Sequence, residues 1–153
     1  MTERTVLDAE LALTPSSSRS SVELPFVLDS PAERLEIDFS YQPKFLEGRE
    51  GASPIPNLVT ISLDYGEEYL GCAHRHAPVQ RHLIGAGGSS PGFHAAPVRA
   101  GGYRLVVSAH CVVTPACAVR VRVIAAGTAG TARTAQIPGV AGAAGAAGGE
   151  DPA

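Results

Sequence analysis

Apolar and polar positions alternate with a period of two along most of this chain. The clearest run lies between Glu33 and Tyr41, where Leu35, Ile37, Phe39 and Tyr41 alternate with Arg34, Glu36, Asp38 and Ser40. Side chains on a strand point to opposite faces in turn, so this pattern predicts a strand with one face in a core and the other in water. Leu7, Ala9, Leu11 and Leu13 repeat it against Asp8, Glu10 and Ala12, and Val59, Ile61, Leu63 and Tyr65 repeat it after Asn57. So do Tyr103, Leu105, Val107 and Ala109, and then Cys117, Val119, Val121 and Val123. Val22–Leu28 carries Pro25, which has no N–H for a ladder and places that strand at an edge or a bulge. Tyr69–Ala73 and Val79–Ile84 are weaker strands.

Turn signals separate these runs. Thr14-Pro15, Asp29-Ser30-Pro31, Gly66-Glu67-Glu68, Pro91-Gly92 and Ala100-Gly101-Gly102 are the strongest. Thr114-Pro115-Ala116 joins the last two strands, which are expected to pair as a hairpin. The segment from Gln42 to Pro56, with Pro43, Pro54 and Pro56 among mixed charges, is expected to be a long mobile connection able to border a site. No window combines helical apolar spacing with capping residues, so essentially no helix is predicted. About eight short strands with frequent turns make an all-β protein, an antiparallel β-sandwich of jelly-roll-like type, over residues 1–125. Residues 126–153 turn to Gly, Ala and Thr, with too few large apolar side chains to offset ordering entropy, and are expected to form a disordered tail.

Charge narrows the partners. The formal net charge of −3 is spread along the chain, and the single lysine, Lys44, stands among dispersed arginines. With no basic block, neither nucleic acid nor an anionic membrane is an expected partner. Acidic residues near the N-terminus replace the positive region of a signal peptide, and no apolar run approaches the roughly 20 residues of a membrane span. A cytoplasmic protein is expected. Three cysteines, Cys72, Cys111 and Cys117, are an odd count and suit reduced thiols better than a disulfide framework, although Cys111 and Cys117 flank one turn.

Histidines supply the only candidate chemistry. His74 and His76 at i, i+2 would share one face of a strand, and with His94 and His110 they form a candidate set of ligands for zinc or another divalent transition metal, in the manner of cupin-like jelly rolls. The glutamate that such sites also use has no equivalent between His76 and the tail. His74 and His76 beside Pro78 also suit an exposed connection, and no cofactor is required by the pattern. His110 and Cys111 are adjacent on a strand and so should face apart, which argues against a thiol–imidazole pair. Asp38 and Glu36 on the wet face are expected to pair with Arg120 or Arg122 across a sheet. A glycan platform would lean on exposed rings, and Tyr69 is the one tyrosine that the alternation leaves free of the core.

The order of features, from Leu24-Pro25-Phe26-Val27-Leu28 through Glu33–Pro43 and Asn57–Asp64 to Ser90-Pro91-Gly92-Phe93-His94-Ala95-Ala96-Pro97 and Gly101-Gly102-Tyr103, resembles the N-terminal β-sandwich of CehA/McbA-type PHP-domain metallohydrolases. The similarity covers about residues 6–124. Tyr103 stands where those relatives usually place a tryptophan, and His94-Ala95-Ala96 replaces part of their Pro-Gly turn. Their metal-binding domain opens with a His-x-His segment and an acidic turn, and no counterpart follows residue 125 here. The resemblance therefore implies a non-catalytic accessory or interaction module, with a separate catalytic subunit, or a second copy joined through an edge strand, as partner. A metal-binding cupin-like protein and a glycan-binding module are the alternatives.

Overall fold

The computed structural model describes residues 2–73 and 75–127, together with the backbone of Ala135–Gln136. Wherever β-branched, leucine and aromatic residues alternate with polar ones, the chain is extended. Eight strands of five or more residues result: β1 (Glu3–Leu13), β2 (Ser20–Leu28), β3 (Arg34–Gln42), β6 (Leu58–Tyr65), β7 (Glu68–Cys72), β8 (Val79–Gly85), β10 (Gly101–Cys111) and β11 (Cys117–Ala126). Two-residue strands complete the set: β4 (Phe45–Leu46), β5 (Ile55–Pro56), β9 (Gly88–Ser89) and β12 (Ala135–Gln136). The only helical turn among the described residues is the 3-10 turn Pro15–Ser17.

Two layers form, antiparallel except where β12 joins β1. One has the order β12-β1-β11-β3-β8-β9 and the other β2-β10-β6-β7. The pairs are nested: β1 lies on β11, β2 on β10, β3 on β8, and β6 on β7. Folding such a nested hairpin back on itself brings β11 against β3 and β10 against β6, and this is the jelly roll. Consecutive long strands therefore change sheets at every step except the β6–β7 hairpin. The sequence-based expectation that β10 and β11 pair with each other is corrected by this topology. The segment between them is a crossover, held by the buried side chain of Asn57, and Cys111 and Cys117 end on different sheets as free thiols.

The predicted inward positions of β1, β3, β10 and β11 are buried in a single core, with Val59, Ile61 and Leu63 of β6. A shift of register at Thr5/Leu7 adds Val6 to it. Fully burying one such side chain contributes roughly 1.5–3 kcal/mol. Pro25 sits in β2, an edge strand, as its missing N–H requires. Tyr103 is packed between Phe26, stacked at 5.2 Å, and Tyr65 at 4.8 Å. Its hydroxyl donates to the Arg99 carbonyl and accepts from the Arg99 N–H, which closes the turn leading into β10.

Two stretches carry more strand than the alternation predicts. β11 continues to Ala126, which is buried, and the Gly127 N–H donates to the Thr2 carbonyl. The Gln42–Pro56 segment folds back on itself, with β4 paired to β5 and Phe45 and Ile55 about half exposed. The tail expected to be disordered lies outside the described residues from 128 onward, apart from Ala135–Gln136, whose backbone pairs in parallel with Leu7–Asp8. Among the described residues no helix is long and apolar enough to cross a membrane.

Candidate functional site

β8 is built inside out. Gln80 and His82 point into the sandwich and are buried, whereas Val79 is 76% exposed and Leu83 is 41% exposed. This strand read weakly in the sequence because two of its three aliphatic residues, Val79 and Leu83, face solvent, while Gln80 and His82 point inward with Ile84.

The inward polar pair is stabilised by hydrogen bonds. The Gln80 side-chain amide donates to the carbonyls of Arg75, at 2.9 Å, and Ala77, at 2.7 Å. Its oxygen must therefore be the acceptor for His82, so His82 Nε2 carries the proton across the 2.7 Å contact. His82 Nδ1 is left with a bare lone pair and no partner among the described residues. The ring packs against Phe93 at 5.2 Å. Burial, and then the charge of Arg75, lower its pKa from the ordinary 6.5. Protonation would place a second, unpaired N–H and a charge in the core.

A stability profile follows from that sign. The unfolded chain takes up the His82 proton as pH falls through about 6.5, while the folded chain resists until lower pH, so stability drops across this window. Urea midpoints measured from pH 7.5 to 5 are expected to fall for the wild type and to fall less for His82→Leu. That variant also loses about 1 kcal/mol at neutral pH, because the Gln80 oxygen loses its donor. An unchanged slope in His82→Leu would show that the acid limb belongs to other groups. Asp38 is not a confounder here, because its hydrogen bond to Arg81 lowers its pKa below the ordinary 3.8, outside the window.

On the outer face of the same sheet lies a groove of about 700 Å³, and Ser40, Ala12 and Ala118 are among its lining residues. Glu10, Arg120, Lys44 and Val79 also line it, and a second depression of about 570 Å³, which shares Ser40, Val79 and Arg120 with it, is lined by Asp38, Arg81 and Arg122. Small side chains on β1, β3 and β11 leave the depression, and long charged ones frame it. Asp38 accepts two hydrogen bonds from Arg81, and Glu36 pairs with Arg34 on its own strand. Arg81 on β8 and Arg122 on β11 stand opposite Asp38 on its two sides; Arg81 makes the hydrogen bonds in place of the expected Arg120 or Arg122, while Arg122 acts on Asp38 through charge and donates to the Thr5 hydroxyl. Arg120 makes only long contacts, to Asp8 at 3.8 Å and Glu10 at 3.9 Å. Exposed pairs of this kind contribute less than about 1 kcal/mol each.

The described histidines of the candidate metal set form no ligand group. His74 lies outside the described residues, and His76 is exposed on the connection before β8. His94 is exposed, edge-on to the Tyr69 ring at 6.2 Å beside β7, while His110 Nε2 meets the Thr60 hydroxyl at 2.8 Å near the far end of β6. Among the described residues no three His, Cys, Asp or Glu side chains are placed to hold a metal ion. A register shift lies between Ala109 and Cys111, and His110 and Cys111 are both exposed. Tyr69 is 52% exposed, and its pKa is pushed up to about 12, first by its hydrogen bond with Cys72. No aromatic ring is exposed in the groove; its one tyrosine, Tyr41, is buried with its hydroxyl on the Lys44 ammonium and the His76 carbonyl.

No family model, curated protein or solved structure matches the chain.

Proposed function

We propose that this chain is a cytoplasmic, non-catalytic β-sandwich accessory module that binds a separate protein through the outer face of its six-stranded sheet. The observation that carries the reading is the inversion of β8. Val79 and Leu83 are turned to solvent beside a groove, at the cost of holding Gln80 and His82 in the core. An arrangement that keeps aliphatic side chains outward on a nearly open edge is expected where a partner covers them. The likeness of the strand order and turns to the N-terminal sandwich of CehA/McbA-type metallohydrolases supports the same reading.

The chain isolated from its native cells is expected to carry one stoichiometric partner. The double variant Val79→Asp, Leu83→Asp should lose it while keeping the wild-type thermal midpoint, because both side chains are outside the core. A complex that survives the double substitution would overturn the proposal. So would metal-dependent turnover of ester or phosphoester substrates by the purified chain.

A further inference from the structure

The groove is richer in positive charge than the protein that carries it. The two adjoining depressions are lined by four cations, Lys44, Arg81, Arg120 and Arg122, against two carboxylates, Glu10 and Asp38, with Asp8 bordering them 3.8 Å from Arg120, in a chain whose net charge is −3. Asp38 is occupied by Arg81, and Glu10 is 3.9 Å from Arg120. The hydrogen bonds of the other two cations go to neutral oxygens: Lys44 Nζ donates to the Tyr41 hydroxyl and the Asn57 carbonyl, and Arg122, which stands between Asp8 and Asp38 in the register, donates to the Thr5 hydroxyl.

The strand register gives the spacing of the levels beneath these cations. Gln42, at the corner where Lys44 begins the next segment, lies opposite Ala118, and Asp38 lies opposite Arg122. These two levels are four residues apart on β3, which is about 13 Å at the rise of a strand. Val79 lies between them, opposite Ser40. In an extended peptide, residues i, i+2 and i+4 share one face and cover the same length.

Resting on the reading of this face as a protein-binding surface, we infer that its occupant is an extended acidic segment of the partner, with carboxylates at i and i+4 and an aliphatic side chain at i+2. The carboxylates meet Lys44 and Arg122, and the aliphatic residue covers Val79. Charge steers the encounter and sets register, while the apolar contact excludes water.

A fluorescein-labelled peptide, Ser-Glu-Thr-Leu-Thr-Glu-Ser, tests this by anisotropy against the whole chain, beside analogues carrying Gln or Lys in place of both Glu residues. The acidic peptide is expected to bind, with affinity falling at least tenfold between 50 and 500 mM salt, as screening requires. Arg122→Glu should weaken it at least tenfold and Val79→Ser about threefold, with both variants keeping the wild-type thermal midpoint. Equal binding of the Gln analogue would overturn the acidic specification. Absence of binding by the acidic peptide, or binding unchanged by Arg122→Glu, would overturn it as well. The native complex and its loss in Val79→Asp, Leu83→Asp report on the module reading separately, so failure of one is distinguishable from failure of the other.

Discussion

Gly71→Ala is expected to abolish folding at 37 °C or to lower stability by more than about 4 kcal/mol, the range of the most damaging single substitutions. Gly71 holds φ at +116°, a conformation that L side chains rarely adopt, and an added Cβ would lie 2.2 Å from the Gly92 carbonyl oxygen and 2.6 Å from Phe93 Cα. Both obstacles are backbone, so no rotamer change relieves them. The close approach exists because the Ser90–Phe93 turn covers the open edge of β7: the Cys72 N–H donates to the Gly92 carbonyl and the His94 N–H to the Leu70 carbonyl. That turn has Pro91 at its second position and Gly92, with φ +95°, at its third, the type II arrangement closed by the Phe93 N–H on the Ser90 carbonyl. Circular dichroism and thermal melts of Gly71→Ala beside Gly87→Ala, whose Cβ would meet open space, measure the difference. Equal melting of the two variants would show that the edge cover yields freely.

Asn57→Ala is expected to cost about 3 kcal/mol, from several buried groups losing partners at about 1–3 kcal/mol each. Asn57 is fully buried. Its amide donates to the Pro43 carbonyl at 2.9 Å and the Thr114 hydroxyl at 2.8 Å, and its oxygen accepts from the Val113 N–H at 2.7 Å. One side chain thereby joins the corner after β3 to the crossover between β10 and β11. Asn57→Asp should recover little of the loss, since an ionised carboxylate accepts from Val113 but cannot donate to Pro43. Urea unfolding of the three proteins at pH 7 gives the comparison, and a loss below about 1 kcal/mol in Asn57→Ala would mean that water serves the corner equally well.

The sandwich was legible because its strands are mostly half-buried. Leu35, Ile37, Phe39 and Tyr41 declare a face by their period, and so do Tyr103, Leu105, Val107 and Ala109. Layer assignment was less legible, because a hairpin and a sheet-to-sheet crossover use the same turn residues. Thr114-Pro115 suits either, and the decision is made by Asn57, distant in sequence by 57 residues from Thr114. The candidate site was hidden for a different reason. Val79 and Leu83 look like core in a linear reading, and only the buried hydrogen bonds of Gln80 and His82 turn them outward. Charges on the wet face also carry little positional information, so Arg81 rather than Arg120 or Arg122 holds Asp38.

The nested pairing has a consequence for how such a module is carried. Because β1 and β11 are antiparallel neighbours, Glu3 lies opposite Ala126, and the Gly127 N–H rests on the Thr2 carbonyl at 3.0 Å. Thr2 and Gly127 thus lie only a strand's width apart, about 5 Å. A host polypeptide joined at those two points would meet this domain across a gap no wider than one strand.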